Sequence, residues 1–510
     1  MESSNILKKP AASETVAGGS PPAAVALAAL GIVLAALAAY AGSFSGPFIF
    51  DDRQWILENP AIRHLWTALA APRSAMTGGR PVLGFSFALN YALSGTSVWS
   101  YHAFNLAIHA LAGLALFGLA RRTLLQPGLR GRFGAAALPL AFVAAVLWTV
   151  HPLQTEAVTY VAQRAESLMG LFYLLTLYCF VRGTGSGRPG AWPALMVAAC
   201  ALGMATKEVM VTAPLMVLLY DRTFVAGSFR AAWRQRRGWY LGLACTWLLL
   251  GYLMVGIGRR GIGVDSGTTF TWWTYALTEC RVLVQYLGLA VWPHPLVLDY
   301  GVAPVKQAVQ AAPFAMILAV LAASAAVGLW RGRGWGYAGA WFFVVLAPSS
   351  SVVPVEFQPM AEHRMYLPLA AVIVVVVAAV HALAASRRWL RACLLVLAAG
   401  FGVLAAARNE NYRSELAIWT DTAAKSPHNP RVRNNLGYAL TNLGRLADAK
   451  VQYEDTLRLD PHYPYARNNL GFVLEKMGEP IEAESPPATG LLAVRERLFE
   501  DPLQPPMPFP

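Results

Sequence analysis

The sequence predicts an all-α protein: a polytopic membrane helical bundle of about eleven spans, followed by a short helical solenoid. Three observations predict it. The 510-residue chain is 56% hydrophobic with a mean hydropathy of +0.44, which excludes a disordered chain and an ordinary soluble domain. Charge divides near Ala407: residues 1–407 hold 29 basic and 14 acidic side chains, net +15, and residues 408–510 hold 12 and 14, net −2. The tail repeats itself at a shift of 34 residues, with Asn434-Asn435-Leu436-Gly437 recurring as Asn468-Asn469-Leu470-Gly471. The positive charge sits between long apolar runs. Membrane loops use Lys and Arg in this way to fix orientation, so the pattern points to a lipid bilayer and not to nucleic acid. The five cysteines lie singly in or beside apolar runs without CxxC spacing and read as small hydrophobes.

A membrane helix needs about 20 mostly apolar residues. Residues 1–21 read as a cytoplasmic N-terminal segment and 22–42 as an uncleaved first anchor. Further apolar runs cover 101–120, 134–150, 167–182, 191–220, 239–257, 313–330, 335–353, 366–385 and 391–407. Two segments decide the topology. Residues 191–220 are too long for one span and carry Lys207-Glu208 near the middle, while 276–292 are apolar but hold Glu279, Arg281 and Gln285. The arginine-rich loops at 121–132, 182–188, 222–237, 331–333 and 387–391 fall on one side only if 191–220 crosses twice and 276–292 does not fully cross. That gives eleven spans in a membrane domain over 22–407, with the N-terminus inside and the C-terminus outside. The cytoplasmic segments then carry 18 basic and three acidic residues, and the outer segments eleven of each. Topology rules do not require eleven carboxylates outside, so the outer face is the first functional clue.

In the tail, Pro427 and Pro430 recur as Pro461 and Pro464, and Trp419 pairs with Tyr453. A 34-residue period with Leu-Gly, an aromatic, a small residue and a closing Pro is the tetratricopeptide signature. Each unit is two antiparallel helices whose apolar faces are buried only by neighbours. The repeats run over 408–484. Residues 485–510, with seven prolines, read as a disordered or divergent tail.

Candidate chemistry lies in five outer clusters. Asp51-Asp52 follow the first span; paired carboxylates at a membrane surface suit a general base or a cation, the alternative being a helix cap or solvated turn. His102, Asn105 and His109 share one helix stripe entering the membrane; for His109 a structural network is the favoured reading. His151 through Glu166 is dense in ionisable groups, and as one helix it would put Glu156, Tyr160, Gln163 and Arg164 near one face. Lys207-Glu208 form the outer turn of a hairpin, and Glu362-His363-Arg364-Met365-Tyr366 open the tenth span. Their common side and depth suggest one polar cavity. Zinc spacing, P-loop, GxGxxG and GxSxG motifs are absent from the sequence.

FDDRQWILENP, RPVLGFSFALNYALSG, HAFNLAIH, HPLQTEAVTYVAQRAESLMGLFYLL, ATKEVMVTAPLMVLLYDRTF and MAEHRMYLPL together resemble the transmembrane and tetratricopeptide-repeat family related to protein O-mannosyltransferases, over about residues 20–480. The resemblance implies a C-type glycosyltransferase fold with its active site on the non-cytoplasmic face, a polyprenyl-phosphate-linked sugar as donor, and a catalytic acidic residue in the first outer loop. Asp51 and Asp52 match that position. The array is shorter than the long ones common in the family.

The chemistry fits the inventory. An acceptor hydroxyl must lose a proton as it attacks the anomeric carbon, which calls for a carboxylate base; the leaving lipid phosphate needs cations. The expected catalytic residues are Asp51 and Asp52, either of which can be the base. Arg80, His102, His151, Glu156, Arg164, Glu166, Lys207, Glu208, Glu362, His363, Arg364 and Tyr366 are the donor-phosphate or substrate-binding candidates. No metal-ligand set is expected, although a divalent cation bridging carboxylates and phosphate is compatible. The expectation is a multi-pass bacterial inner-membrane glycosyltransferase moving a sugar to an acceptor hydroxyl of protein Ser/Thr, with periplasmic repeats binding the acceptor or a partner protein. A non-enzymatic membrane scaffold is the rival reading, and a transporter of lipid-linked sugars a third.

Overall fold

The computed structural model describes residues 20–70, 77, 79–255, 270–351, 358–383 and 388–479. The expected tail 485–510 and most of the N-terminal segment lie outside the described residues. Thirteen longer helices build the membrane half: α1 (Pro22–Tyr40), α2 (Pro81–Ser94), α3 (Trp99–Leu124), α4 (Ala137–Thr149), α5 (Arg164–Thr184), α6 (Trp192–Met204), α7 (Ala213–Tyr220), α8 (Phe229–Met254), α9 (Trp272–Val291), α10 (Ala308–Trp330), α11 (Gly334–Leu346), α12 (Pro368–Leu383) and α13 (Arg388–Asn411). Four more, α14 (Glu415–Lys425), α15 (Pro430–Asn442), α16 (Leu446–Leu459) and α17 (Pro464–Met477), follow in the tail, each packed on the next. Shorter helical turns fill the outer loops.

Among the described residues, six helical stretches are long and apolar enough to cross a membrane: Pro22–Ser45, Trp99–Leu124, Pro127–Thr149, Val161–Thr184, Ala308–Trp330 and Ala392–Asn411. The chain is an integral multi-pass membrane protein. Local signals set the helix starts. Pro22, Pro81 and Pro430 occupy first-turn positions, where a missing N–H costs nothing. Ser228, Thr271, Ser414 and Asn429 cap α8, α9, α14 and α15 with side-chain oxygens. The α10–α11 hairpin is tight enough that a Cβ on Gly336 would run into the Gly328–Leu329 backbone, so glycine is required there.

The bundle has two chemically distinct ends. At one, Arg122 and Arg182 both stand against the Tyr178 ring, at 5.8 and 5.9 Å, and Arg222 donates to the carbonyls of Leu329 and Trp330. At the other, the carboxylates of the 151–166, 207–208 and 362–366 segments meet. The run 191–220 forms two short helices, α6 and α7, that leave the arginine end and return to it through the Lys207-Glu208 turn. Helix α9 lies along the carboxylate end. Tyr275 Oη donates to Ser349 O (3.0 Å), Tyr286 Oη to Ala361 O (2.8 Å), and the ring of His151 bonds Ala290 O (3.2 Å).

The expected single helix from Glu156 to Arg164 does not form. A helical turn over Thr155–Thr159 stops at Tyr160, whose backbone is extended (φ −76°, ψ 112°), and α5 starts afresh at Arg164. The break leaves the Tyr160 hydroxyl free to meet Asp51.

Candidate active site

The site begins with a strained turn. Phe50 has φ +47°, a left-handed conformation that costs a bulky residue energy. Its ring is held edge-on to Trp419 of α14, 5.4 Å between centroids. This turn gives the two aspartates that follow it opposite surroundings. Asp52 is fully buried and accepts the backbone N–H groups of Ile49 (3.0 Å) and Ala162 (2.6 Å), tying the first loop to the 160–163 segment. Asp51 is only half-buried; its backbone N–H donates to Tyr160 Oη at 3.0 Å, and its carboxylate is left for chemistry. Burial pushes the Asp51 carboxyl up to about 6, against the lowering effects of the Tyr160 hydroxyl and the Arg431 guanidinium.

A second group of buried carboxylates stands beside this turn. Glu156 Oε1 bonds the His363 ring at Nδ1 (2.9 Å), and Glu156 Oε2 accepts the His363 backbone N–H (2.9 Å). Burial raises Glu156, while Arg408, Arg364 and Lys207 work to lower it; burial holds His363 neutral. Glu362 accepts the Val297 N–H (2.5 Å) and the Tyr300 hydroxyl (3.1 Å) through Oε1, leaving Oε2 without a hydrogen bond. Arg364 donates to the carbonyls of Ser349, Pro359 and Gln358.

The site cations nearest solvent are Lys207, in the hairpin turn, and Arg80, at the start of α2. Lys207 Nζ pairs with Glu166 Oε2 at 2.5 Å, and Arg80 pairs with Glu208 at 3.1 Å. Burial alone would raise Glu208, but Arg80 and Lys207 outweigh it and hold the carboxyl well below its usual range. Arg80 also lines a recess of about 150 Å³ with Thr77, Gly79 and Pro81.

The predicted residues thus separate. Asp51, Glu156, Glu166, Lys207, Glu208, Arg80, Glu362, His363 and Arg364 gather at one end of the bundle. The others hold the scaffold. His102 bonds Gly46 O (3.0 Å), and His151 bonds the Leu153 N–H and Ala290 O. The Tyr366 hydroxyl bonds His109 Nδ1 (2.9 Å), whose Nε2 meets Thr149 O. Arg164 is fully buried, with every guanidinium nitrogen bonded to Asn105, Ser86, Asn90 or the Tyr101 carbonyl, so no nitrogen is spare for a phosphate. Among the described residues, no three His, Cys, Asp or Glu side chains converge as a metal site.

Sequence reasoning missed Arg408, Arg431, Asp299 and Tyr300. Arg408 ends α13, pairs with Asp421 at 2.7 Å, and keeps Nε and Nη2 buried without hydrogen bonds. Arg431, from α15, pairs with Asp299 at 2.5 Å. The Leu298-Asp299-Tyr300-Gly301 segment, polar beside an apolar run, was the available signal. These residues join the tail helices to the site. Lys425 donates to Leu296 O at 3.0 Å, and Asn429 packs so closely on Gly301 (φ +57°) that a side chain there would collide.

Comparison with known proteins supports the resemblance. Residues 78–254 match the family model described as dolichyl-phosphate-mannose-protein mannosyltransferase. The protein O-mannosyl-transferase F38B6.6 of Caenorhabditis elegans is 25% identical over 441 residues, 81% of this chain and 60% of that one. The Drosophila melanogaster protein O-mannosyl-transferase Tmtc2 is 30% identical over 291 residues, 51% of this chain and 29% of its own length. The Mus musculus protein O-mannosyl-transferase TMTC1 is 31% identical over 203 residues, 36% and 20%. The chain spans three fifths or less of these relatives. The crystal structure of ArnT from Cupriavidus metallidurans bound to undecaprenyl phosphate aligns over 90% of this chain and 78% of that one, at 13% identity and a TM-score of 0.35. The chain is therefore similar in sequence to proteins named protein O-mannosyl-transferases.

Proposed function

We propose that this protein is a membrane glycosyltransferase that moves a sugar from a polyprenyl-phosphate donor to an acceptor hydroxyl at the carboxylate end of the bundle. The observation that carries the reading is the division of labour between the two aspartates. Asp52 is consumed by two backbone N–H groups, and Asp51 is only half-buried, with the Tyr160 hydroxyl and the Arg431 charge acting on its carboxylate, at the same end of the bundle as the Arg80 and Lys207 ion pairs. In the reaction, Asp51 takes the proton of the acceptor hydroxyl as its oxygen attacks the anomeric carbon. The bond from that carbon to the phosphate oxygen breaks, and its electron pair leaves with the lipid phosphate. We assign Lys207 and Arg80, the cations of the Glu166 and Glu208 ion pairs, to receive that charge. Removing one such donor costs roughly 10²–10³ in rate in comparable sites.

Mannose, the sugar in the relatives' names, is the donor to test first, and protein Ser/Thr the acceptor. The four tail helices are read as tetratricopeptide repeats over 408–484, with a role in holding the acceptor or a partner. We infer eleven crossings (α1, α3–α8 and α10–α13), with the arginine end cytoplasmic and, given the Ala- and Leu-rich composition, a bacterial inner membrane as the setting. Purified full-length protein with polyprenyl-phosphate mannose and Ser/Thr peptides, wild type beside Asp51→Asn and Asp52→Asn, tests the assignment. Full transfer by Asp51→Asn would overturn it. An EDTA arm reports on a divalent cation.

A further inference from the structure

The bundle holds a cavity that the carboxylate end does not use. About 570 Å³ of space opens between α3, α4, α7, α11 and α12, a size usual for ligand pockets. Along α12 its lining runs from Ala370 to Ala382. Twelve residues of helix span about 18 Å at 1.5 Å each, close to the hydrocarbon depth of one leaflet, about 15 Å. The walls are mostly Leu, Ala, Val and aromatic side chains.

Polar groups collect at one end of this cavity. Arg132 and Arg333 line it there, and deeper in, Thr123 and Tyr220 pair their hydroxyls at 2.7 Å. At the opposite end the indole N–H of Trp341 is already bonded to Leu367 O at 2.8 Å. Among the described residues neither arginine has a carboxylate partner. Asp221, the acidic residue described at this end, is taken by Arg236 (3.0 Å) and Tyr240. The turn that carries Arg333 is fixed. Arg222 donates to the Leu329 and Trp330 carbonyls, and the Arg333 N–H donates to Gly328 O at 2.8 Å. A one-leaflet apolar slot with two unpaired guanidiniums at its mouth matches one ligand class.

We propose that this cavity binds an anionic glycerophospholipid of the arginine-side leaflet, its phosphate between Arg132 and Arg333 and one acyl chain along α12. Charge complementarity selects the head group, since basic pockets between membrane helices recognise anionic lipids. The polar end lies away from the carboxylates, so the site is separate from sugar transfer and does not depend on that reading.

The test uses delipidated full-length protein titrated with phosphatidylglycerol or phosphatidylcholine, bound lipid being counted by native mass spectrometry. Phosphatidylglycerol is expected to be retained at least tenfold better than phosphatidylcholine, and soluble glycerophosphate not at all. Arg132→Gln/Arg333→Gln should remove about tenfold of that preference. Ala378→Phe, which fills the slot and leaves the charge alone, should remove the lipid as well. Arg230→Gln/Arg234→Gln, on the same side but outside the cavity, should change nothing. Equal retention of the two lipids, equal loss in the Arg230/Arg234 control, or undiminished binding by Ala378→Phe would each overturn the proposal; the last keeps it falsifiable should the double variant fail to fold.

Discussion

Asp51 and Asp52 are neighbours in sequence and opposites in the structure. Both carbonyl-like oxygens of Asp52 are engaged by backbone N–H groups from two segments, so Asp52→Ala should strip acceptors from two buried donors. Each lost acceptor costs about 1–3 kcal/mol, and the expected result is a clear drop in thermal stability of the detergent-purified protein; an unchanged melting temperature would count against the structural role. Asp51→Asn should behave in the reverse way. Its carboxyl is raised from 3.8 to about 6 by burial, so the folded chain holds that proton more tightly than the unfolded chain. The ionised form therefore weakens the fold, a penalty that grows between pH 4 and 6 and is fully present above it. The Asn variant should match or exceed the wild-type melting temperature at pH 7.5 while losing about 10²–10⁴ in sugar transfer. The wild-type rate should fall about tenfold per unit below pH 6, as the base fills with its proton. A flat profile between pH 5 and 7 would remove Asp51 from that role.

At the scale of elements, the N-terminus of α5 joins α2 and α3 through one side chain. Arg164 Nη1 reaches Asn90 Oδ1 at 2.6 Å, and Nε reaches Asn105 Oδ1 at 2.6 Å. Replacing it with Met leaves two buried amide oxygens without their cation, and breaking such a buried charged network costs about 3–5 kcal/mol. Arg164→Met should thus unfold at markedly lower temperature, with transfer lost through the fold and not through phosphate binding; a stable, inactive variant would return Arg164 to the donor site. From hydropathy and the arginine loops, most of the apolar helices were legible, because lipid demands long apolar runs, although α8 begins at Phe229, well before its predicted run from 239. What a short polar loop does was not. Glu156 and Arg164 looked like one helical face because spacing cannot register the extended backbone at Tyr160. Arg431 and Asp299, 132 residues apart, carried no local sign of meeting. The same contact yields a further expectation. Arg431→Gln should loosen the 296–301 segment and the Phe50 turn, seen as faster amide exchange there, because α14 and α15 hold both. Unchanged protection in those loops would show the tail helices to be passive.

At the scale of the molecule, everything about the candidate site depends on which membrane face the carboxylates occupy. Among the described residues six helical stretches are long and apolar enough to span unaided; the eleven-crossing reading rests on shorter helices that neighbours shield, chiefly α6 and α7 around the Lys207 turn. On that reading Lys207 and Arg80, which meet Glu166 and Glu208 at the turn, would keep the polar residues paired where the two short helices reach the interface. Single cysteines placed at Glu58, Arg188, Arg230 and Arg413 in a cysteine-free background separate the possibilities by labelling with an impermeant reagent. Eleven crossings with the arginine end inside require labelling at 58 and 413 in intact cells, and at 188 and 230 only after permeabilisation. Should 188 and 230 label from opposite sides, the 191–220 segment crosses once. The Lys207 turn would then lie within the bilayer and Lys207 could not meet a donor phosphate at the surface. Should all four labels invert together, the fold would stand, but the carboxylate end would face the cytoplasm, and a lipid-linked donor would have to be sought in that leaflet.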